Sequence, residues 1–445
     1  MLGVVVSRAD EASEHVGERL LEAADWETVT DDARSDAEGG GTVYRLGGAG
    51  GDDGDAGHAG DGPAEDERVE LREFDDIHIE LDGVADAFGS ADDAPAWGRP
   101  DLVAFASRHA GETGQLLTAH HTGNFGPADY GGDPGDVARA APNAHRQVID
   151  ALREHAPEGY EVGMECTHHG PTEVGAPSLF VEVGSAEPQW RDADATTAVA
   201  CAILDLRGVA PDAPPETGSD PDGRDGEGAV RRHLVGFGGG HYVPRFERIV
   251  RETDWAVGHI AADWGLDAMG DPADNRGVLT RTVEESAATH AVVDGERPDL
   301  RAVVDDLDCR VVGETWVRET TGVDLGLVDA LESALAPVSQ GLRFGEQATE
   351  TAPDTAFEVV SLPDDLLAEA QGIDQETARA AVSRATLAFE TVESGNRPEG
   401  RAAVRDRDDV EALVEDLAAV LDREYETVER EDGAVVASEQ AFDPE

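Results

Sequence analysis

The chain has 445 residues, with 96 Asp and Glu against 34 Lys and Arg, a formal charge of −62, and every basic residue is arginine. The absence of lysine excludes a P-loop lysine, a Schiff-base lysine and a lysine general base. Aromatic residues make up 5% and hydrophobic residues 40%, and periodic Val, Leu and Ala runs mark folded cores instead of the disorder that such a charge favours. Cys166, Cys201 and Cys309 are too widely spaced for a disulfide framework or a CxxC knuckle. The first apolar run, Leu2–Val6, follows no basic region, and no apolar run approaches the roughly 20 residues that cross a bilayer. A cytoplasmic protein without membrane contact or an obligate protein partner, working as a monomer, is expected.

Strand Gly3–Ser7 leads into an amphipathic helix over Asp10–Trp26, a βα start that predicts an α/β layer architecture. Residues 47–67 hold eight glycines and seven acids and no Val, Ile, Leu or aromatic residue, the composition of a flexible insertion. Strand-like segments resume at Val69–Phe74 and Ile77–Leu81. Strands are expected at Leu102–Ala106, Gln115–Ala119, Tyr160–Glu165 and Ser178–Val183, with helices over Asn143–His155 and Asp192–Leu206. A second acidic insertion, 208–229, carries four prolines and five glycines. Strand Leu234–Phe237, a glycine loop and helix Phe246–Glu252 follow. The predicted fold is a mixed-sheet α/β core over 1–345, interrupted by the two insertions. Residues 346–445, with amphipathic stretches such as Val410–Leu421, form a separate acidic extension. Acidic excess spread along the whole chain, missing lysine and small apolar residues resemble proteins of salt-accumulating halophilic archaea, where salt screens self-repulsion.

Seven histidines fall in strand-to-loop junctions: His109, His120, His121, His168, His169, His241 and His259. Loops at strand C-termini of an open α/β sheet converge on one edge, so these residues are expected to meet in one cleft. His120-His121-Thr122-Gly123-Asn124 either presents an imidazole to a ligand or metal, or pairs a solvated histidine with one that caps the strand. Glu165-Cys166-Thr167-His168-His169-Gly170-Pro171-Thr172 puts a carboxylate, two imidazoles and hydroxyls within eight residues. Glu and His are the ligand types of catalytic zinc, and Glu is equally suited to act as a base. A structural turn is the plainer alternative, and Cys166 reads as a buried strand residue more readily than as a ligand. In Gly238-Gly239-Gly240-His241-Tyr242-Val243-Pro244-Arg245 the glycines would let backbone amides approach an anion. The dinucleotide fingerprint is missing, since His241 stands where Gly or Ala is required. From Arg231 to Arg251 there are five arginines and one acid, a local excess of positive charge suited to phosphate, unless these arginines pair with the acidic surface.

Taken in order, Ser107-Arg108-His109, Leu117-Thr118 with His120 and Gly123-Asn124, Glu165 with Thr167–Thr172, Glu182-Val183-Gly184-Ser185 with Trp190, Gly238–Tyr242 with Pro244-Arg245, and Gly258-His259-Ile260 resemble the archaeal and plant type of D-aminoacyl-tRNA deacylase. The resemblance covers roughly residues 1–345. It implies a zinc-dependent hydrolase that cuts the ester between a D-amino acid and the tRNA 3′ end. It also implies two zinc ions per subunit and a core similar to peptidyl-tRNA hydrolase and nucleoside phosphorylases. Combined with the residues, it suggests His120, His169 and His241 as metal ligands and Glu165, His168 and Thr172 as catalytic groups, Thr172 facing the developing oxyanion. Ser107, Arg108, His109, Asn124, Gly238, Gly239, Gly240, Tyr242, Arg245 and His259 are the expected substrate contacts. The competing readings are a phosphorylase or nucleosidase acting on a free nucleoside, with the glycine loop as phosphate cradle, and a non-enzymatic tRNA-end binder.

Overall fold

Alternating strand and helix patterns resolve, in a computed structural model of the chain, into two units: Met1–Pro215 with Val230–Val312, and a second from Gly313 onward. The structure describes residues 1–47, 67–92, 96–216, 230–353, 355–431 and 434–438. The body of both predicted insertions, 48–66 and 217–229, lies outside the described residues. Residues 208–216 do not behave as part of an insertion. The Asn143 side chain donates to Ala210 O at 2.8 Å, the Ala213 N–H donates to His233 Nε2 at 2.9 Å, and Arg139 pairs with Asp212 at 2.6 Å.

The first unit contains a mixed eight-stranded sheet, in agreement with the expected α/β class. Its strands are β1 (Leu2–Ser7), β2 (Glu27–Asp31), β3 (Gly41–Leu46), β4 (Val69–Phe74), β5 (Leu102–Ala110), β6 (Leu116–His120), β9 (Glu161–Met164) and β10 (Ser178–Ser185). A short ribbon, β7 (Gly123–Asn124) with β8 (Asp136–Val137), lies between β6 and β9 in sequence. The sheet order is β2-β3-β4-β1-β5-β10-β6-β9, with β10 parallel to β5 and antiparallel to β6. Asp10 caps the first helix, Glu11–Ala23, by accepting the N–H groups of Ala12 and Ser13. The predicted strand Ile77–Leu81 is instead a single 3-10 turn over His78–Glu80. There the His78 ring packs edge-on to Phe105 and Phe180 under the sheet, a tertiary contact that overrides the local β-propensity.

A second sheet of the same unit is wholly parallel, in the order β12 (Ala256–Ala261), β11 (His233–Phe237), β13 (His290–Val293), β14 (Arg310–Val312). Helices Pro244–Glu252, Asp263–Met269, Arg276–Glu285 and Pro298–Asp305 connect these strands, as parallel pairing requires. The loop after β9 joins the two sheets: the Cys166 N–H donates to His241 O and the Thr167 N–H to Ile260 O, both at 2.9 Å.

The second unit begins at Gly313, 33 residues before the boundary expected at 346. It holds an antiparallel sheet in the order β15 (Arg343–Phe344), β17 (Ala388–Val392), β18 (Arg397–Val404), β16 (Glu358–Ser361), and a hairpin of β19 (Thr427–Glu431) with β20 (Ala434–Ser438). Its core, including Leu367, Val382, Phe389, Leu413 and Leu417, is closed by helices Asp364–Ile373, Gln375–Ala385 and Arg407–Leu421. Among the described residues no helix is long and apolar enough to cross a membrane.

Four charges are buried across β2, β3 and β4. Arg45 bonds Glu70 at 2.9 Å, Glu70 bonds Arg72 at 2.7 Å and Arg72 bonds Asp31 at 2.7 Å, all with side chains at most 2% exposed. Removing one member strands its partners in a low dielectric. Glu70→Leu is expected to lower stability by about 3–5 kcal/mol, measured by chemical denaturation in molar KCl; a loss below 1 kcal/mol would show that the network is not needed.

Candidate active site

The geometry is set by one face of the large sheet. Ser107 and His109 on β5, Phe180 and Glu182 on β10, and Thr118 and His120 on β6 sit two residues apart, and the register pairs Glu182 with both Ser107 and Thr118. Because β6 runs opposite to β10, His120 lies opposite Phe180 at the start of β10, whereas His109 lies opposite Gly184 near its end. The expectation that strand-end loops meet on one edge is therefore corrected: the histidines of β5 and β6 approach across the sheet face. Gly184 permits this, since a Cβ there would lie 2.6 Å from His109 Cβ.

Onto this face the loop after β9 brings Glu165, His168 and His169, and the loop after β11 brings His241. Glu165 Oε2 lies 2.6 Å from His241 Nε2, and Glu165 Oε1 lies 3.1 Å from His109 Nδ1. The same His109 Nδ1 is 3.6 Å from Glu182, which also reaches His120 Nε2 at 3.5 Å. Burial alone would push His109 down, but Glu165 and Glu182 outweigh it and raise the imidazole to about 11. Burial works against ionisation of the two carboxylates as well. Nevertheless His109 and His241 hold Glu165 well below its usual range, and His109 with His120 holds Glu182 at about 2. The result is a buried imidazolium between two carboxylates. The signal of Glu182 in the sequence is a lone carboxylate in the otherwise apolar run Leu179-Phe180-Val181-Glu182-Val183.

His120, His168 and His169 form a second cluster, with ring centroids 4.2, 4.4 and 4.9 Å apart. In each ring Nδ1 faces a backbone carbonyl: His120 donates to His121 O at 3.0 Å, His168 to Cys166 O at 2.9 Å and His169 to Gly170 O at 2.7 Å. A carbonyl only accepts, so these bonds place the hydrogen on Nδ1 and leave Nε2 as the lone-pair nitrogen in the neutral ring. His120 Nε2 is buried without a hydrogen-bond partner. Burial, then neighbouring imidazoles, push His168 well below its ordinary value and His169 to about 4. For His120 burial is outweighed by Glu182, which draws positive charge toward it. Three convergent imidazole nitrogens with fixed tautomers, beside a carboxylate, fit a divalent metal of the zinc class. Cys166, His168 and His241 form a neighbouring group that could also hold a metal; burial and Glu165 push the Cys166 thiol up to about 12, and only a bound cation would reverse that.

Other expected contacts are located elsewhere. Thr172 is buried, and its Oγ1 accepts the Asp133 N–H at 2.9 Å. The Asn124 side chain donates to Gly131 O and Asp133 O; both residues latch the loop that follows β7. His259 is fully buried, its Nε2 donating to Ala138 O at 2.7 Å and its Nδ1 facing Thr167 Oγ1 at 3.0 Å, so it ties β12 to the loop after β9. His121 is buried behind the site against His145 and His259. Ser107 is buried on the sheet face, and Arg108 lies over the Trp190 ring. Tyr242 OH is 3.1 Å from His109 Nε2. The glycine loop is not an open cradle: the Gly238 N–H donates to Ala261 O and the Gly239 N–H to Asp263 Oδ1, while no such bond is described for Gly240. The local positive charge is also paired, Arg232 with Asp254, Arg245 with Asp294 at 2.8 Å and Arg251 with Glu252.

A family model described as D-aminoacyl-tRNA deacylase matches residues 98–312, ending at the last residue of the first unit. Proteins named D-aminoacyl-tRNA deacylase from Halorubrum lacusprofundi and Haloarcula marismortui are 53% and 50% identical over the whole of this chain, covering 88% and 90% of their own lengths. The chain belongs to the D-aminoacyl-tRNA deacylase family. A crystal structure titled a conserved protein of unknown function aligns with 72% of this chain and 98% of its own, with a TM-score of 0.54 and 26% identity, in keeping with the mixed α/β fold.

His109 is raised above its ordinary 6.5, so its contribution to stability is complete below that value and fades as the pH climbs toward 11. The two depressed carboxylates contribute above their ordinary 4.5 and lose that contribution in acid. The stability advantage of the wild type over His109→Gln is therefore expected to be greatest between pH 4.5 and 6.5 and to shrink steadily by pH 10. Paired denaturation curves across that range check it, and an advantage that grew with pH would contradict the charge assignment.

Proposed function

We propose that this site hydrolyses the ester that joins a D-amino acid to the 3′ end of tRNA, releasing free D-amino acid and tRNA in the cytoplasm. Family membership supports the substrate class. The observation that carries the chemistry is the cluster of His120, His168 and His169, each with its Nδ1 bound to a carbonyl, next to the Glu165–His241 pair. These three histidines, in place of the expected set with His241, would hold a zinc-class ion; when bound, it supplies Lewis acidity for the reaction. Glu182 Oε1 lies 3.5 Å from His120 Nε2 and favours positive charge there, a proton that a bound cation would have to displace.

Glu165 is a poor proton acceptor, because it is buried, ionised and turned toward His109 and His241. Its role is positioning. It accepts the Nε2–H of His241, whose side chain is one-third exposed, and so leaves His241 Nδ1, which faces the Cys166 thiol at 3.6 Å, as the basic atom that would take a proton from the attacking water in exchange for that contact. Tyr242 OH and His109 close the side of the site near the end of β5. The phosphorylase reading loses its phosphate cradle, since the Gly238 and Gly239 amides are bonded within the protein. The acidic, lysine-free composition is read as adaptation to molar salt, consistent with the halophilic relatives.

In molar KCl the protein is expected to hydrolyse D-tyrosyl-tRNA and to spare L-tyrosyl-tRNA, and to lose activity on dialysis against a chelator. Equal hydrolysis of both esters would end the chirality claim, and chelator resistance the metal claim. His241→Ala is expected to lower kcat by about 10²–10⁴-fold with metal content kept, whereas His169→Ala lowers metal content as well. A His241→Ala enzyme with full turnover would return the proton-accepting role to Glu165.

A further inference from the structure

Aromatic residues are only 5% of this chain, and among the described residues only Tyr130 and Trp264 expose an aromatic side chain broadly, at 70% and 51%. Both belong to segments that border the histidine cluster. Tyr130 sits in the loop between β7 and β8, and its carbonyl accepts the N–H of Gly170, the residue after His169, at 2.9 Å. Trp264 lies in the helix Asp263–Met269 that follows β12, four residues beyond Ile260, whose carbonyl accepts the N–H of Thr167 in the loop that carries His168 and His169. The helix and the loop also meet, since a Cβ at Gly126 would strike Ala268 at 2.9 Å and one at Gly265 would touch Phe125.

The Tyr130 loop is fixed, although its ring is bare. Asn124 donates to Gly131 O and Asp133 O, and the Asp133 N–H donates to Thr172 Oγ1. Gly131 and Gly132 have left-handed backbones at φ 76° and 71°, and Cβ atoms there would lie 2.0 Å from Ile79 O and 2.7 Å from Thr172 Cγ2. A large ring held outward on a pinned loop loses little freedom when a ligand covers it. The geometry points to Tyr130 and Trp264 as stacking surfaces for nucleobases at the 3′ end of the tRNA. This rests on the deacylase reading of the site.

Chemistry and charge favour a base over other occupants. The ester must reach the buried histidines, so the part of the substrate left outside, beside the exposed rings, is the nucleotide chain. Arg245 and Arg297 near the glycine loop already pair with Asp294 and Asp263, and phosphate contacts weaken steeply with salt. Stacking on an aromatic face needs no charge and tolerates any base.

The test is binding of end-labelled, uncharged tRNA in molar KCl, followed by anisotropy, alongside deacylation kinetics on D-tyrosyl-tRNA. Trp264→Ala and Tyr130→Ala are each expected to weaken binding by roughly tenfold or more and to raise KM more than they lower kcat. Trp264→Phe and Tyr130→Phe should recover most of the loss, and tRNA lacking its terminal adenosine should bind wild type and at least one Ala variant alike. Alanine variants that bind as tightly as the wild type, or a wild type with no affinity for tRNA, would overturn the stacking role. The two readings fail separately. A wild type that hydrolyses the D-ester while both Ala variants keep their KM removes the stacking and leaves the activity. Ala-sensitive binding without hydrolysis removes the activity and leaves the stacking.

Discussion

The site depends on His109 placed between Glu165 and Glu182. Two carboxylates on a dry sheet face repel each other and resist ionisation, and one imidazolium reverses both effects. With Glu165 ionised, His241 is fixed by a 2.6 Å bond; with Glu182 ionised, His120 is drawn toward positive charge. One cation thus organises both the Glu165–His241 pair and the Glu182–His120 contact. The strand order makes this possible, because β10 runs between β5 and β6 and carries Glu182 to the midpoint between His109 and His120.

Much of this was visible in the sequence, and the reasons for the remainder are physical. The histidine-bearing junctions could be read because imidazoles next to Gly, Pro and carboxylates are unusual in a chain of acids and small apolar residues. The even spacing of Ser107 with His109 and of Thr118 with His120 was also present, and it encodes a shared face. What local sequence does not encode is strand direction. The antiparallel course of β6 places His120 at the opposite end of β10 from His109, so the site was expected at an edge and lies on a face. Ring orientation is likewise set by what meets Nδ1, the Cys166 carbonyl for His168 and the Cys166 thiol for His241, a tertiary matter.

The arginine-rich window shows the same limit from the side of charge. Along the chain, Arg231 to Arg251 contains one acid; in space, Asp254 and Asp294 arrive from the connections after neighbouring elements and neutralise Arg232 and Arg245. Thr172 and Asn124 look like active-site polar groups because they flank the motifs, yet their hydrogen bonds hold a loop. The second unit opens with helices Glu314–Glu319 and Leu325–Ala334, which bury Trp316, Val317, Leu327, Val328 and Leu331. Periodicity reports that a helix has a buried face without saying which core buries it.

Salt separates the two kinds of electrostatics in this molecule. At 1 M ionic strength the screening length is about 3 Å, so charges spread over the exposed surface neither repel one another strongly nor steer a polyanion from a distance. Ion pairs sealed from solvent are screened much less. The −62 chain therefore retains directed electrostatics where water is excluded, in the Arg45–Glu70–Arg72–Asp31 network and around His109. A protein built in this way can tune protons inside while gaining little from charge at its rim. Recognition at that rim must then come from contact, through shape, hydrogen bonds and aromatic faces, which is where the fold exposes its few bare rings.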